Sequence, residues 1–517
     1  MQRRNFLKKA AVLPIPFLLG RTTLSALSLP ALESAMNAED RVLVLLQLTG
    51  GNDGLNTVIP LDQYAGLMEV RGNLAIPENE VLQIEDTIGL HPAMAGMRSV
   101  YDAGRLAVIQ GVGYPEQNRS HFRSTDILNT ASASDEVLTT GWLGRHLDER
   151  YPGFPGQFPT DDQPDPFAIV MGSSVSETCQ GRAGNFSMAL TSVDNVGQLP
   201  DFPGSADLSL PYGRELDWLR TTISQSNQYA GGIERAADMG NNMVDYPGDN
   251  QVAAKLRDVA RLISGGLKTK IYIVELGGFD THADQVATDT TTGVHANLLQ
   301  TLSDAVASFQ EDLVELGLQE RVLGMTYSEF GRRIRSNGSV GSDHGDAAPM
   351  FLFGACVSGG VTGTNAEVPA DVSQSEGVPM QYDFRNVYGS VLVDWFGVAE
   401  GSVRSLIIDD FAYLPIISGC SDTNSISGAD SLRRAEFAVQ PNPAREEVQV
   451  ILTTKRERVR VVLFDTFGRQ VRTIADRGFV AGEHRLSVSL AELPAGTYFV
   501  HVMLAGGRRG SRRVVKL

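Results

Sequence analysis

Two short stretches pair aspartate with histidine: "GGFDTHADQ" carries Asp280 and His282, and "NGSVGSDHGDAAP" carries Asp343 and His344. A third, "LTGGNDGLNTVIP" (48–60), sets Asp53 among three glycines and the amides Asn52 and Asn56. In a fourth, "GYPEQNRSHFRSTD", Ser120 and His121 stand between Arg119 and Arg123. Carboxylate oxygens mixed with imidazole nitrogens are the donors that zinc, manganese and iron take. Three carboxylates and two imidazoles are enough for one or two divalent ions, and a pair about 4 Å apart clamps the attacking and leaving oxygens of a phosphoryl or sulfuryl group. Beside such ions a serine at a helix start is a candidate nucleophile, with the two arginines able to fork an anionic ester. Glu329, in "YSEFGRR", either orients a ligand from behind or pairs with Arg332 or Arg333. Singly, each residue also has an ordinary role: a turn-forming Asp, an N-capping Ser, arginines on a solvated helix face. The joint pattern carries the metal reading, since two of only eight histidines sit beside aspartates on loops.

These loops need a scaffold that brings them together. Continuous aliphatic runs at 41–48, 105–113, 167–172, 270–278, 321–328 and 350–357 predict strands buried on both faces, as parallel sheets require. Leu298, Leu299, Leu302, Val306, Phe309, Leu313 and Leu316 recur at helical spacing, as do Val252, Leu256, Val259 and Ile263. Strands alternating with helices predict a doubly wound, mostly parallel α/β domain, in which ligands bind beyond the carboxyl ends of the strands. Each of the four loops follows one of the predicted strands.

The start of the 517-residue chain, "MQRRNFLKKAAVLPIPFLLG", has paired arginines ahead of a short, proline-broken apolar stretch, the pattern of a twin-arginine export signal. No later window has the roughly 18 apolar residues of a membrane span. The segment "GCSDTNSISGADSLRR" reads as a linker, and short alternating runs beyond it read as a small β-sandwich. The expected plan is an export leader over 1–38, an α/β domain over 39–419, a linker over 420–434 and a β-sandwich over 435–517. The sandwich carries 14 Lys and Arg against 8 Asp and Glu, about +6, so within the net charge of -17 the rest of the chain is about -23, which argues against nucleic acid as a partner. Three scattered cysteines exclude a disulfide framework and leave room for one bridge, with Cys356 expected in the core. Nucleophile-elbow, zincin, P-loop and dinucleotide motifs are absent.

"VLVLLQLTGGNDGLNTVIP", "GLHPAM", "NRSHFRSTDI", "ELGGFDTHADQ", "YSEFGRRIRSNGSVGSDHGDAAPMFLFG" and "DFRNVYGSVL" together resemble the exported bacterial domain of unknown function 1501, a sulfatase-like group similar to the alkaline phosphatase superfamily. The resemblance implies a metal-dependent phosphatase or sulfatase fold. It assigns one ion to Asp53, Asp343 and His344, another to Asp280, His282 and a later histidine, and the nucleophile to Ser120. No histidine lies between His344 and His484, so His91, His121 or His295 would have to substitute, and the Cys-x-Pro-x-Arg sulfatase signature is missing. "VQPNPA", "VVLFDTFGRQV", "LPAGTYFVHV" and "RRVVKL" resemble the C-terminal sorting domain of type IX secretion cargo, which implies export through the periplasm to the cell surface or medium and removal of the tail. The expected protein is an exported hydrolase of small or polymer-borne phosphate or sulfate esters with one or two zinc, manganese, calcium or magnesium ions. Its alternative is a non-catalytic surface binding or structural protein that keeps the fold.

Overall fold

The structure is a computed structural model that describes residues 40–417 and 437–516, apart from short stretches within 195–206 and at 443, 455–456, 466–469, 495 and 505–508. The leader and linker expected from the sequence lie outside the described residues. Two compact units divide the chain, Met1–Ser421 and Asp422–Leu517.

The larger unit is built on β1 (Val42–Thr49), β2 (Leu106–Gly113), α1 (His121–Thr130), β3 (Ala168–Val170), β4 (Ser187–Ala189), α2 (Gln251–Ser264), β5 (Ile271–Gly277), α3 (Val294–Glu315), β6 (Val322–Tyr327), β7 (Ala348–Phe353), β8 (Gly360–Thr362) and β9 (Tyr382–Asp383). One nine-stranded sheet runs β8-β2-β7-β6-β1-β5-β3-β4, with β9 also on β2. Pairing is parallel except around β7, which runs antiparallel to both β2 and β6. All six aliphatic runs form strands. The sheet is mostly parallel as expected, with β7 its antiparallel strand; unbroken apolar character reports burial on two faces and is silent about strand direction.

β1 shows how the sheet is held. Val42, Val44, Leu46 and Leu48 enter one core, with α2 and α3, while Leu43 and Leu45 enter the other, with Trp142, Tyr388 and Trp395. Alternate side chains of a strand point to opposite faces, so this central strand is apolar at every position from Val42 to Leu46. Each such side chain contributes about 1.5–3 kcal/mol of burial. The carboxyl ends of β1, β5 and β6 lie side by side through registers Thr49↔Gly277 and Gln47↔Tyr327. The loops after them are thereby delivered to one edge.

The smaller unit has a three-stranded antiparallel sheet and a four-stranded one. One core fills the space between them, with Phe437, Val448, Val450 and Val488 from the first and Val459, Val461, Val500 and Val514 from the second. This is the sandwich expected from the alternating runs.

Cys356 is buried and disulfide-bonded, and Cys179 is a buried free thiol whose pKa burial pushes up to about 12. Among the described residues no helix is long and apolar enough to cross a membrane.

His146 provides a test of the packing in the second core. It lies in helix Trp142–Arg150 with its ring 5.4 Å from that of Phe396, and burial, then the Arg150 charge, lowers its pKa from 6.5 to about 4. The unfolded chain takes up this proton first as pH falls, so the stabilising contribution is complete above about pH 6.5 and is lost on the way down to about pH 4. By pH 5 the expected loss is about 2 kcal/mol. A His146→Gln variant should show a shallower fall in Tm between pH 7 and pH 5 than the wild type. Parallel profiles would refute this.

Candidate metal centre

Asp280 follows β5 and lies against a turn after β1 that needs glycine. Gly50, just past β1, has φ +122°, and a Cβ there would collide with the backbone of Phe279 and Asp280. Two chain segments therefore meet backbone to backbone, which only glycine permits. From the loop after β6, Glu329 is buried and its Oε1 accepts from the Gly50 amide at 2.7 Å. Arg332, from the same loop and 1% exposed, donates to the carbonyls of Gly50, Gly51 (2.7 Å), Phe279 (3.0 Å) and Ser342 (2.6 Å), and to Asp280 Oδ1 (2.7 Å). One guanidinium thus ties together the loops that end β1 and β5 and the one that joins β6 to β7.

Three imidazoles converge on Asp280. His344 Nδ1 donates to the Arg119 carbonyl at 2.8 Å, because a carbonyl can only accept. His282 Nδ1 donates to Asp343 Oδ1 at 3.0 Å, and His121 Nδ1 to Glu329 Oε1 at 2.9 Å. In the neutral rings every Nε2 is then a bare lone pair. The Nε2 atoms of His282 and His344 face each other at 2.9 Å, and lie 3.2 and 3.0 Å from Asp280 Oδ1. His121 Nε2 is 3.4 Å from Asp280 Oδ2. Ligand atoms of His121, Asp280 and His344 all fall within 4.8 Å of one another, with His282 joining through Asp280 and His344. Burial pushes the Asp280 carboxyl up, but hydrogen bonds from Arg332 and His344 and their neighbours' charge outweigh it and bring the pKa to about 2. Burial lowers the pKa of His344 against the opposing pull of Asp280. Nε2 atoms 2.9–3.4 Å from one another or from a carboxylate oxygen need a proton or a cation between them, so with the rings neutral these four side chains offer an ion three nitrogen donors and an oxygen, and each imidazole is backed by an acceptor in the manner of metal-bound histidine. The residues fit a metal ion.

The sequence-predicted ligands divide accordingly. Asp280, His282 and His344 come together, and His121, one of the three histidines named as substitutes for the missing late ligand, joins them. Asp343 stands behind His282, with Oδ1 also accepting from Asn337 and Oδ2 from Arg333. Asp53 goes elsewhere, which corrects its expected place: it is 1% exposed, ion-paired to Arg71 and bonded at Oδ2 by Gln285 Nε2 at 2.6 Å. Asn52 joins it in that interior through His295 Nε2 at 3.0 Å, and Asn56 Nδ2 caps the Leu74 carbonyl. His91 and His295 lie there too, their rings 6.2 Å apart, so neither replaces the late histidine. Arg119 and Arg123 are also corrected. Arg119 grips Asp346 through two nitrogens (2.9 and 2.7 Å) and donates to Ser375 O, while Arg123 pairs with Asp126 and caps carbonyls at 133, 134 and 136. Both guanidinium groups are committed to the protein. Ser120 is the exposed N-cap of α1, as expected, and its hydroxyl makes no capping bond.

Residues 251–398 match the family described as protein of unknown function DUF1501, a span that holds Asp280, His282, Glu329, Arg332 and His344. Residues 438–516 match the secretion system C-terminal sorting domain, and this tail marks the chain for export to the cell surface or medium. No curated protein is similar in sequence. Similar solved structures include a sulfatase from Pseudoalteromonas sp. (10% identity, 89% of this chain and 86% of that one, TM-score 0.31). Others are a lipoteichoic acid synthase from Listeria monocytogenes (9%, 71% and 74%, 0.31) and an alkaline phosphatase superfamily protein from Vibrio parahaemolyticus (11%, 81% and 76%, 0.30).

Proposed function

We propose that this exported protein is a metal-dependent hydrolase of phosphate or sulfate esters, with its ion held by His121, Asp280, His282 and His344. The observation that carries the reading is the set of three Nε2 atoms turned toward one carboxylate, each imidazole fixed from behind by Glu329, Asp343 or the Arg119 carbonyl. Three imidazoles and one carboxylate favour zinc or manganese over calcium and magnesium, which prefer oxygen ligands. When bound, the ion supplies Lewis acidity that draws electrons from the ester's central atom.

The chain's own residues supply the rest. Ser120 Oγ is the proposed nucleophile: it attacks phosphorus or sulfur, its proton leaves with the departing alcohol, and water then releases phosphate or sulfate and restores the hydroxyl. Its place at the N-cap of the ten-residue α1 puts the helix's free amides beside the incoming anion. Asp280 Oδ1, held by Arg332, keeps the site's negative charge fixed at one point. Asp280 and His282 remain 47% and 43% exposed as side chains, which leaves an approach for an ester presented on a small molecule or a polymer.

One observation favours the alternative of a non-catalytic surface protein: neither Arg119 nor Arg123 is free to fork an oxyanion. Metal content and turnover together separate the two. The purified protein is expected to retain zinc or manganese and to hydrolyse an aryl phosphate or aryl sulfate, with loss of turnover on chelation and recovery on metal return. Bound metal without turnover on any member of the panel would favour the binding role, and failure to bind any divalent ion would overturn the metal centre.

A further inference from the structure

Behind the candidate centre lies a second cluster of buried polar groups that the proposed chemistry does not use. Arg71 ends the helix Tyr64–Arg71, and its side chain is fully buried against Asp53. The link is reinforced through the backbone, since Leu74 N donates to Arg71 O and Asn56, three residues past Asp53, reaches Leu74 O at 2.8 Å. Burial opposes ionisation of Asp53, but the Arg71 charge, with His295 and the Gln285 hydrogen bond, holds its pKa below the ordinary value. His91 and His295 are buried beside this pair.

We propose that the Arg71 guanidinium is a built-in cation standing where Asp53 would otherwise hold a second divalent ion, so that each chain binds one ion at the candidate centre and none at Asp53. The geometry gives two reasons. First, Asp53 and Arg71 already cancel in charge, and a dication added beside them would leave an uncompensated positive charge in the interior. Second, the leftover groups are mixed. His91 Nδ1 accepts from Ala93 N, so its Nε2 carries the proton. Along with Asn52 Nδ2 and Arg71 Nε and Nη1, it is a donor without a partner. Against these stand only two unpartnered acceptors, Asp53 Oδ1 and His295 Nδ1. A cation site is made of acceptors alone, and this set is not one.

The inference rests on the metal centre proposed above, and stoichiometry distinguishes their failures. Zinc equivalents per chain are measured by elemental analysis after equilibrium dialysis for wild type, Asp53→Asn and Arg71→Ala. The expected result is one equivalent for wild type and for Asp53→Asn. Arg71→Ala, with Asp53 left uncompensated next to the His295 lone pair, is expected to take up a second equivalent and to regain Tm as it does so. Two equivalents in wild type, falling to one in Asp53→Asn, would overturn this inference while leaving the centre intact. Zero equivalents would overturn both. A folded Arg71→Ala that stays at one equivalent with an unchanged Tm would show that Arg71 is no counter-charge, and if that variant does not fold, Asp53→Asn decides.

Discussion

A His282→Ala variant is expected to bind metal more than 100-fold more weakly than the wild type and to lose ester turnover at ordinary metal concentrations. The size follows from position. His282 Nε2 lies within 3.2 Å of both His344 Nε2 and Asp280 Oδ1, so its removal takes away a donor at the point of convergence. Glu329→Gln should be gentler. Glu329 touches the site only through His121 Nδ1 and the Gly50 amide, and changes to such backing groups cost about 10–100-fold in metal affinity. Titration of both apo-proteins with zinc, read by calorimetry alongside circular dichroism, checks the order. Equal affinity for wild type and His282→Ala would exclude this residue as a ligand. A Glu329→Gln loss as large as that of His282→Ala would place the buried carboxylate in direct contact with the ion.

Arg332→Met is expected to destabilise the larger unit by about 3–5 kcal/mol and to weaken metal binding at the same time. The methionine is close in volume but supplies none of the five hydrogen bonds that Arg332 gives to Gly50, Gly51, Phe279, Ser342 and Asp280. Buried carbonyls left without donors each carry a desolvation cost of about 1–3 kcal/mol before relaxation. Arg332→Lys should recover little, since a single ammonium cannot reach carbonyls spread around a planar fork. A urea midpoint shift worth less than about 1 kcal/mol would show that the loops around the site hold their positions without this residue.

The scaffold was legible because its signals are local. The run at 41–48 reads as a strand from its own residues, and the spacing of Leu299, Leu302, Val306 and Phe309 reads as a helix wherever it packs. Helical and strand periods also place Asp280, Glu329 and His121 after strands, so the site's edge of the sheet could be read in advance. Pairing across the chain could not. Asp53 looked like a ligand among glycines, but Gly50 is required by the close approach of Phe279 and Asp280, and the partner of Asp53 is Arg71, whose sequence context is that of an unremarkable helix end. Arg119 beside Ser120 looked free to bind an anion, and its partner Asp346 is 227 residues away. Arg332 carried no motif of its own. Its role exists only where loops from three strands meet, which no window of the sequence contains.

The burial of Cys179 bears on how an exported chain with an odd number of cysteines matures faithfully. Oxidising surroundings threaten such a molecule with scrambling, since a spare thiolate can attack an existing bridge and trade partners with it. With its pKa pushed up to about 12, the Cys179 sulfur at neutral pH is ionised in only about one molecule in 10⁵ and is shielded from collision besides. The odd sulfur is chemically silent, so the bridge at Cys356 has no internal thiolate to trade partners with.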